Sequence, residues 1–280
     1  MAPVSDKRKT FRKLHESGCF VIPNPWNVGS ARYLQAVGFK ALATTSSGYA
    51  HAQGYSDGEV TRDMVLAHCT EIAAAADVPV NADFENGYAD DLEGVAANVK
   101  LCVATGVAGL SIEDFTGNEA DPLYPLDEAV ARVRAARAAI DEVGGEVVFT
   151  ARTEGLIHKR PDLDETIRRL KAFADAGADC LYAPGIRTRE QIEAVVKAVA
   201  PKPVNLLMAW ADGFTVSDIK TMGVRRISVG GTMARAAMHT FMKTARAIAE
   251  QGSFDSFSGV VSNAELNSFF HDDRRRRTTS

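Results

Sequence analysis

The sequence predicts an α/β fold, a (β/α)8 TIM barrel with an extra C-terminal helical segment. Three observations carry this reading. An Ala-rich amphipathic stretch, a glycine and a β-rich apolar run recur eight times along the 280 residues. The apolar runs are near-continuous rather than alternating, as parallel strands covered on both faces require. Eight alternating β/α units favour a closed barrel over an open doubly wound sheet, and no G-x-G-x-x-G follows the first run.

The elements follow in order. Strands are expected over 19–26, 40–46, 79–85, 109–114, 146–153, 180–184, 203–208 and 226–230. Helices are expected over 28–37, 61–76, 91–104, 126–143, 163–176, 189–199, 217–222 and 232–251. Gly38, Gly106, Gly177 and Gly223 each follow a helical stretch, where a left-handed residue closes the last turn. Thr61 and Ser217 stand where helix N-caps are wanted. The barrel domain is assigned to residues 1–252 and a C-terminal helical segment with a basic tail to 253–280. Phe254, Phe257, Leu266, Phe269 and Phe270 make that segment too apolar to hang free, and Arg274–Arg277 read as a solvated tail.

Composition narrows the function classes. The chain is 46% hydrophobic, with a net charge of −4, so it can bury a sizeable core and has no basic field for nucleic acid. Cys19, Cys69, Cys102 and Cys180 show no C-x-x-C spacing, which fits reduced thiols in a cytoplasmic protein. The N-terminal MAPVSDKRKTFRKLHESG is polar, unlike a secretory signal, and no apolar run reaches the ~18 residues of a membrane helix.

Chemistry is expected at the C-terminal strand ends, where such barrels place their sites. The third strand runs into PVNADFENGY. In a strand, Asp83 and Glu85 would project from one face, and paired hard oxygens suit Mg²⁺ or Mn²⁺. Glu113 ends the fourth strand beside Asp114, and Arg152 ends the fifth, two residues before Glu154. Asp83, Glu85 and Glu113 can converge on one divalent cation, directly or through its waters. Arg152 offers a planar fork for a substrate carboxylate. Thr45, Ser46, Ser47 and Gly48 offer hydroxyls and backbone N–H groups to another anionic oxygen, and Asn205 lies near the end of the seventh strand. A cation with an oxyanion cradle stabilises an enolate, which points to a small polycarboxylate with a 2-oxo or 2-hydroxy group. Asp57 alone reads as a turn residue, His51 as a solvated loop histidine and His68 as structural.

At these residues the chain resembles the isocitrate lyase / phosphoenolpyruvate mutase superfamily. The matching pieces are TTSSG at 44–48, Asp57 in GYSDG, NADFENGY at 81–88, SIED at 111–114 and ART at 151–153, with the repeat pattern extending over about residues 10–250. The resemblance implies an α/β barrel that binds Mg²⁺ and stabilises an enolate. It implies Asp83 as the direct metal ligand, with Glu85, Glu113 and Asp57 holding metal-bound waters. It implies Thr45, Ser46 and Ser47 as the 2-oxo acid carboxylate site and Arg152 as the substrate arginine. It also implies a homotetramer that exchanges a C-terminal helix.

One stretch departs from the superfamily. Where its isocitrate and methylisocitrate lyases carry a Lys-Lys/Arg-Cys-Gly-His loop, this chain reads FTGNEADPLY at 115–124, without Cys, His or Lys. Ordinary isocitrate lyase chemistry is not expected. The leading expectation is Mg²⁺-dependent cleavage of a carbon–carbon bond in an oxaloacetate-, alkylmalate- or methylisocitrate-like acid. Glu113 or a metal-bound water would move the proton, with Tyr124 or Glu119 as further candidates, under a 115–125 loop that closes. The alternatives are phosphonomutase-type P–C bond chemistry and a non-catalytic 2-oxo acid binding protein.

Overall fold

The computed structural model describes residues 2–144, 146–160 and 162–278. The last two residues of the expected C-terminal segment lie outside the described residues. By internal contacts the chain forms two units, Ala2–Gly231 and the stretch from Thr232 onward.

The first unit is the barrel. Its strands are β1 (Phe20–Ile22), β2 (Leu42–Ala43), β3 (Val80–Asp83), β4 (Gly109–Glu113), β5 (Val148–Arg152), β6 (Cys180–Tyr182), β7 (Val204–Leu207) and β8 (Arg226–Ser228). All pair in parallel, in the order β1-β8-β7-β6-β5-β4-β3-β2. The seam between β1 and β2 carries a backbone bond from Ala43 N to Pro23 O at 3.1 Å. Asn24 reinforces it, donating to Thr44 O at 2.9 Å while its Oδ1 accepts from Val229 N and Gly230 N.

The helices of this unit are α1 (Val4–Glu16), α2 (Val28–Ala36), α3 (Ser46–Gln53), α4 (Arg62–Ala75), α5 (Leu92–Ala104), α6 (Leu126–Glu142), α7 (Leu163–Asp175), α8 (Arg189–Val199) and α9 (Val216–Thr221). Eight strands and their crossover helices stand where the sequence pattern puts them. Every strand stops short of its expected C-terminal end, and β1, β2, β3, β5 and β7 also start late. Gly38, Gly106, Gly177 and Gly223 all have positive φ, between 84° and 108°. Thr61 caps α4, its side chain accepting from Met64 N. Ser217 is not a cap. Thr215 takes that role in α9, in a reciprocal box with Asp218 that Ser217 stands too late to form.

Two helices are additions to the sequence pattern. α1 lies ahead of the barrel and plugs its N-terminal end, where Phe11 packs with Phe20, Ile22, Ala41, Ala43, Ala108 and Val148. Its basic side chains satisfy helix C-termini. Lys7 Nζ donates to Ala73 O and Ala76 O at the end of α4, and Arg8 to Val103 O and Val107 O after α5. α3 begins at Ser46 with Thr45 as its cap, so the strand expected over 40–46 ends earlier and the TSSG stretch starts a helix.

The second unit holds α10 (Thr232–Gln251), a short 3₁₀ turn (Asp255–Phe257) and α11 (Asn263–Thr278). The expected boundary at 252/253 separates α10 from this segment, whereas by contacts α10 groups with it. No residue of α10 is buried, and Phe241 is 67% and Phe254 61% exposed. Arg274–Arg277 continue α11 instead of forming a free tail, as arginine is a good helix former and suits a helix C-terminus. No helix among the described residues is long and apolar enough to cross a membrane.

Candidate active site

The site is built at the C-terminal mouth of the barrel, around Arg152 and the carboxylates that surround it. β3 and β5 flank β4, so their last residues, Asp83 and Arg152, lie one strand apart. Arg152 Nη1 reaches Asp83 Oδ1 at 3.2 Å and Glu113 Oε2 at 3.3 Å. Its other edge binds Glu154, through Nε to Oε1 and through Nη2 to Oε2 at 3.2 Å. The guanidinium also lies over the Tyr182 ring, 4.9 Å from its centroid. The fork predicted to face substrate therefore meets protein carboxylates on every nitrogen. Burial works against the Arg152 charge, but Glu113, Glu154 and Asp83 outweigh it and hold its pKa well above the ordinary value.

Asp83 is held from the other side by α3. Ser46 N and Ser46 Oγ donate to Asp83 Oδ2 at 3.0 and 3.1 Å, and Asp83 N donates to Thr44 Oγ1 at 2.8 Å. Ser46 thus serves the carboxylate expected to bind metal. Thr45 is the N-cap of α3, its Oγ1 accepting from Gly48 N and lying 3.3 Å from Ser47 Oγ. Gly231 backs onto this corner. A Cβ there would lie 2.5 Å from Ser47 Oγ and 3.5 Å from Thr45 Oγ1, so a larger residue would displace the Ser47 hydroxyl.

Glu85 reaches the cluster by a different route from the one predicted. β3 ends at Asp83, and Glu85 has φ 42°, a left-handed turn residue rather than the next-but-one residue of a strand. The turn that follows uses Gly87 at φ 87°. Burial, with Asp83 and Asp57 adding repulsion, pushes the Glu85 carboxyl up to about 7. Its Oε1 and the neighbouring Tyr88 hydroxyl are both buried; Tyr88 opposes the rise, though the pair does not close into a well-formed hydrogen bond. Burial also pushes Glu113 well above the usual carboxylate range; Arg152 opposes this, and Glu154, Asp83 and Glu85 add to it. Asp57 lies on the exposed loop after α3, where loss of solvent around its carboxyl and repulsion from Asp83 raise its pKa.

The remaining residues sort into support. Asp114, next to Glu113, is structural: its carboxylate accepts from Thr153 Oγ1 at 2.8 Å, Glu154 N at 2.9 Å and Arg169 Nη1 at 3.0 Å. The Asn205 amide is engaged on both sides, donating to Ser228 Oγ at 2.9 Å and accepting from Arg226 Nε at 2.8 Å. His68 is buried and stacked on Tyr49 at 4.0 Å, and burial lowers its pKa to about 4. His51 belongs to α3 and is exposed.

The 115–125 loop is a short hairpin. Phe115 bridges Leu123, and Thr116 N donates to Pro122 O at 2.9 Å. Glu119 Oε1 meets His158 Nδ1 at 3.1 Å, while Tyr124 OH accepts from Asn86 Nδ2 at 3.4 Å. Sequence reasoning did not assign roles to Glu154 or His158. The i,i+2 step from Arg152 to Glu154 was the available signal for the first, and nothing local marks the second.

Among the described residues, no three His, Cys, Asp or Glu side chains gather closely enough to enclose a metal ion by themselves. The donor set still fits a hard cation that keeps most of its own water. It consists of carboxylates alone, and the buried Glu85 Oε1, which makes no well-formed hydrogen bond, is an acceptor that a metal-bound water would satisfy.

A barrel with this acid-ringed arginine at its mouth is matched by a family model described as phosphoenolpyruvate phosphomutase over residues 11–249. The chain belongs to that family, within the phosphoenolpyruvate mutase / isocitrate lyase superfamily. It is similar to an oxaloacetate decarboxylase of Paraburkholderia xenovorans, at 30% identity over 88% of this chain and 84% of the relative. Among solved structures, a provisionally named lyase/mutase of Burkholderia cenocepacia J2315 is 42% identical, with a TM-score of 0.93 over 96% of this chain and 97% of that one. The structure of oxaloacetate acetylhydrolase in complex with the product oxalate is 27% identical, with a TM-score of 0.86 over 100% and 99% of the two chains. These likenesses are of the carbon–carbon lyase kind and support an enzyme.

Proposed function

We propose that the protein is a Mg²⁺-dependent enzyme that cleaves a carbon–carbon bond of a small 2-oxo or 2-hydroxy dicarboxylate, with an oxaloacetate-like acid as the leading substrate. The observation that carries this reading is the meeting of Asp83, Glu113 and Arg152 beside the start of α3. Relatives named for oxaloacetate chemistry support the substrate class.

Asp83 would hold the cation directly, and Glu85, Glu113 and Asp57 would hold its waters. Bound there, Mg²⁺ (or Mn²⁺) would supply Lewis acidity that polarises the 2-oxo group and spreads the enolate's charge. The Thr45–Gly48 segment would take the adjoining carboxylate on its hydroxyls and N–H groups. Arg152 would orient the second carboxylate with Nη1, the end it shares between Asp83 and Glu113, while Glu154 keeps the other edge fixed. Asn205 would act on this region by way of Ser228. For an oxaloacetate-like acid the bond to the distal carboxylate breaks, that carboxylate leaves as CO2, its electron pair stays on the remaining fragment as the enolate, and that carbon then takes a proton. Glu113, whose carboxyl burial pushes above the usual range, is placed to hold one. The 115–125 hairpin would exclude water during these steps. Phosphonomutase chemistry is less well supported, because the hairpin brings no cation to balance a transferring phosphoryl group.

The same reading includes a cytoplasmic homotetramer in which second copies cover the exposed apolar side chains of α10 and of residues 254–270. Light scattering on the purified chain tests the assembly, and a monomer at micromolar concentration would refute it.

The reaction is tested by proton NMR with oxaloacetate, 2-methylisocitrate, 2,3-dimethylmalate and phosphonopyruvate, with Mg²⁺ and with EDTA. EDTA-sensitive conversion of one carboxylic acid to a matching pair of products is expected. Turnover of phosphonopyruvate alone would replace the carbon–carbon reading with P–C chemistry. Mg²⁺-dependent binding of a 2-oxo acid without turnover would leave a binding protein.

A further inference from the structure

We propose that His158 is a positioning residue that couples the 115–125 hairpin to Arg152 through Glu154. Its imidazole meets the hairpin at two residues and faces Glu154. The ring lies flat on Phe115 at the base of the hairpin, 4.0 Å between centroids and 10° between planes. Nδ1 meets Glu119 Oε1 in the hairpin at 3.1 Å. Nε2 faces Glu154 Oε2 at 3.9 Å. Glu154 is 1% exposed, and the same Oε2 accepts from Arg152 Nη2 at 3.2 Å.

An imidazole is rigid, and its two nitrogens diverge. Once the Phe115 stack sets the ring plane and Glu119 takes Nδ1, the direction of Nε2 is no longer free. Glu154 Oε2 then lies between His158 Nε2, at 3.9 Å, and Arg152 Nη2, at 3.2 Å. A shift of the ring changes the pull on Oε2 and so rotates the carboxylate that grips the Nε and Nη2 edge of Arg152. That edge fixes where Nη1 points, which is toward Asp83 and Glu113. The charged groups facing His158 are Glu119 from the hairpin and Glu154 from the end of β5. Behind Glu154 stand Arg152 and Asp114.

The backbone supports the arrangement. His158 N donates to Glu154 O at 3.2 Å, so the two residues occupy one tight turn. Lys159 follows with φ 60°, a left-handed conformation that ends the turn. The imidazole is thus held at its own backbone and clamped from the other side by the hairpin. With the hairpin docked, Arg152 is braced from behind. Without the hairpin, the His158 ring loses the Phe115 and Glu119 contacts that set the direction of Nε2.

The coupling can be read without any reaction. In ¹⁵N-labelled protein the Nε–H resonance of Arg152, identified by its loss in Arg152→Lys, reports the Glu154 contact. Glu119 lies on the surface, so Glu119→Gln leaves the fold intact. It is expected to shift the Arg152 resonance in the otherwise native chain and to leave it unmoved when His158 is already Gln. No shift in the native background overturns the proposal, and so does an equal shift in both backgrounds. Circular dichroism checks that His158→Gln is folded, and His158→Asn replaces it if it is not.

The consequence for turnover rests on the proposed reaction. With oxaloacetate and Mg²⁺, His158→Gln is expected to lower kcat by about ten- to a hundredfold with a smaller change in KM, since it misplaces an orienting group. If the native enzyme turns over no acid, the proposed reaction fails while the resonance experiment still decides the coupling.

Discussion

Arg152 Nη1 lies 3.2 Å from Asp83 Oδ1, an ion pair that spans the intervening strand at the barrel mouth. The residue expected to hold metal and the residue expected to hold substrate are therefore each other's partners. A ligand entering the site must exchange with one of these contacts, so metal and carboxylate binding should depend on each other. Isothermal titration of oxalate with and without Mg²⁺ measures this, and equal affinities in the two conditions would contradict it.

Glu113→Gln removes a carboxylate beside Arg152 while keeping its size. Turnover should fall by roughly two to four orders of magnitude, the usual weight of a positioned proton-transfer group, with the circular dichroism unchanged. Native turnover with native metal dependence would remove Glu113 from the mechanism.

Glu85 gives a pH dependence with a definite sign. Burial raises its carboxyl from an ordinary value of 4.5 to about 7, so the fold favours the protonated form. That contribution to stability is fully present below about 4.5 and is lost as pH rises through about 7. Glu85→Gln, which cannot ionise, should raise the Tm of EDTA-treated protein at pH 8 and change it little at pH 4. Equal shifts at both values would show that the Glu85 proton is not held by the fold.

Gly231→Ala places a methyl group 2.5 Å from Ser47 Oγ. The serine must move, and KM for the carboxylate substrate should rise. Adding Ser47→Gly removes the clashing atom, so the double variant should be more stable than the sum of the single effects allows. Strictly additive unfolding energies would show that the two residues do not touch.

Asp114 tests the division of labour between adjacent acids. Asp114→Ala strips one carboxylate from buried Arg169, which keeps Glu165, and the acceptor from Thr153 and Glu154 N, and should cost about 1–3 kcal/mol in chemical denaturation. Glu113→Gln should cost far less. If both variants lose similar stability, the assignment of Asp114 to structure and Glu113 to chemistry is wrong.

The sequence by itself determined the barrel. Eight apolar runs, each followed by an amphipathic stretch, admit few other packings, and Gly38, Gly106, Gly177 and Gly223 mark the helix ends. It also placed Asp83, Glu113 and Arg152 at neighbouring strand ends, because residues that end parallel strands of a barrel must share one mouth. Only the tertiary structure decided how those groups pair. That Arg152 faces Glu154 as well as Asp83, that Ser46 serves Asp83, and that Asp114 turns away to Arg169 depend on side-chain directions and distances between segments far apart in the chain. Glu85 shows the limit most plainly. Its spacing from Asp83 implied a strand, but the strand stops and the backbone turns left-handed, a choice made by the bonds of the loop and not by periodicity. His158 belongs with it, since its contacts come from residues 39 positions away in Glu119 and from a hairpin whose docking no local pattern records.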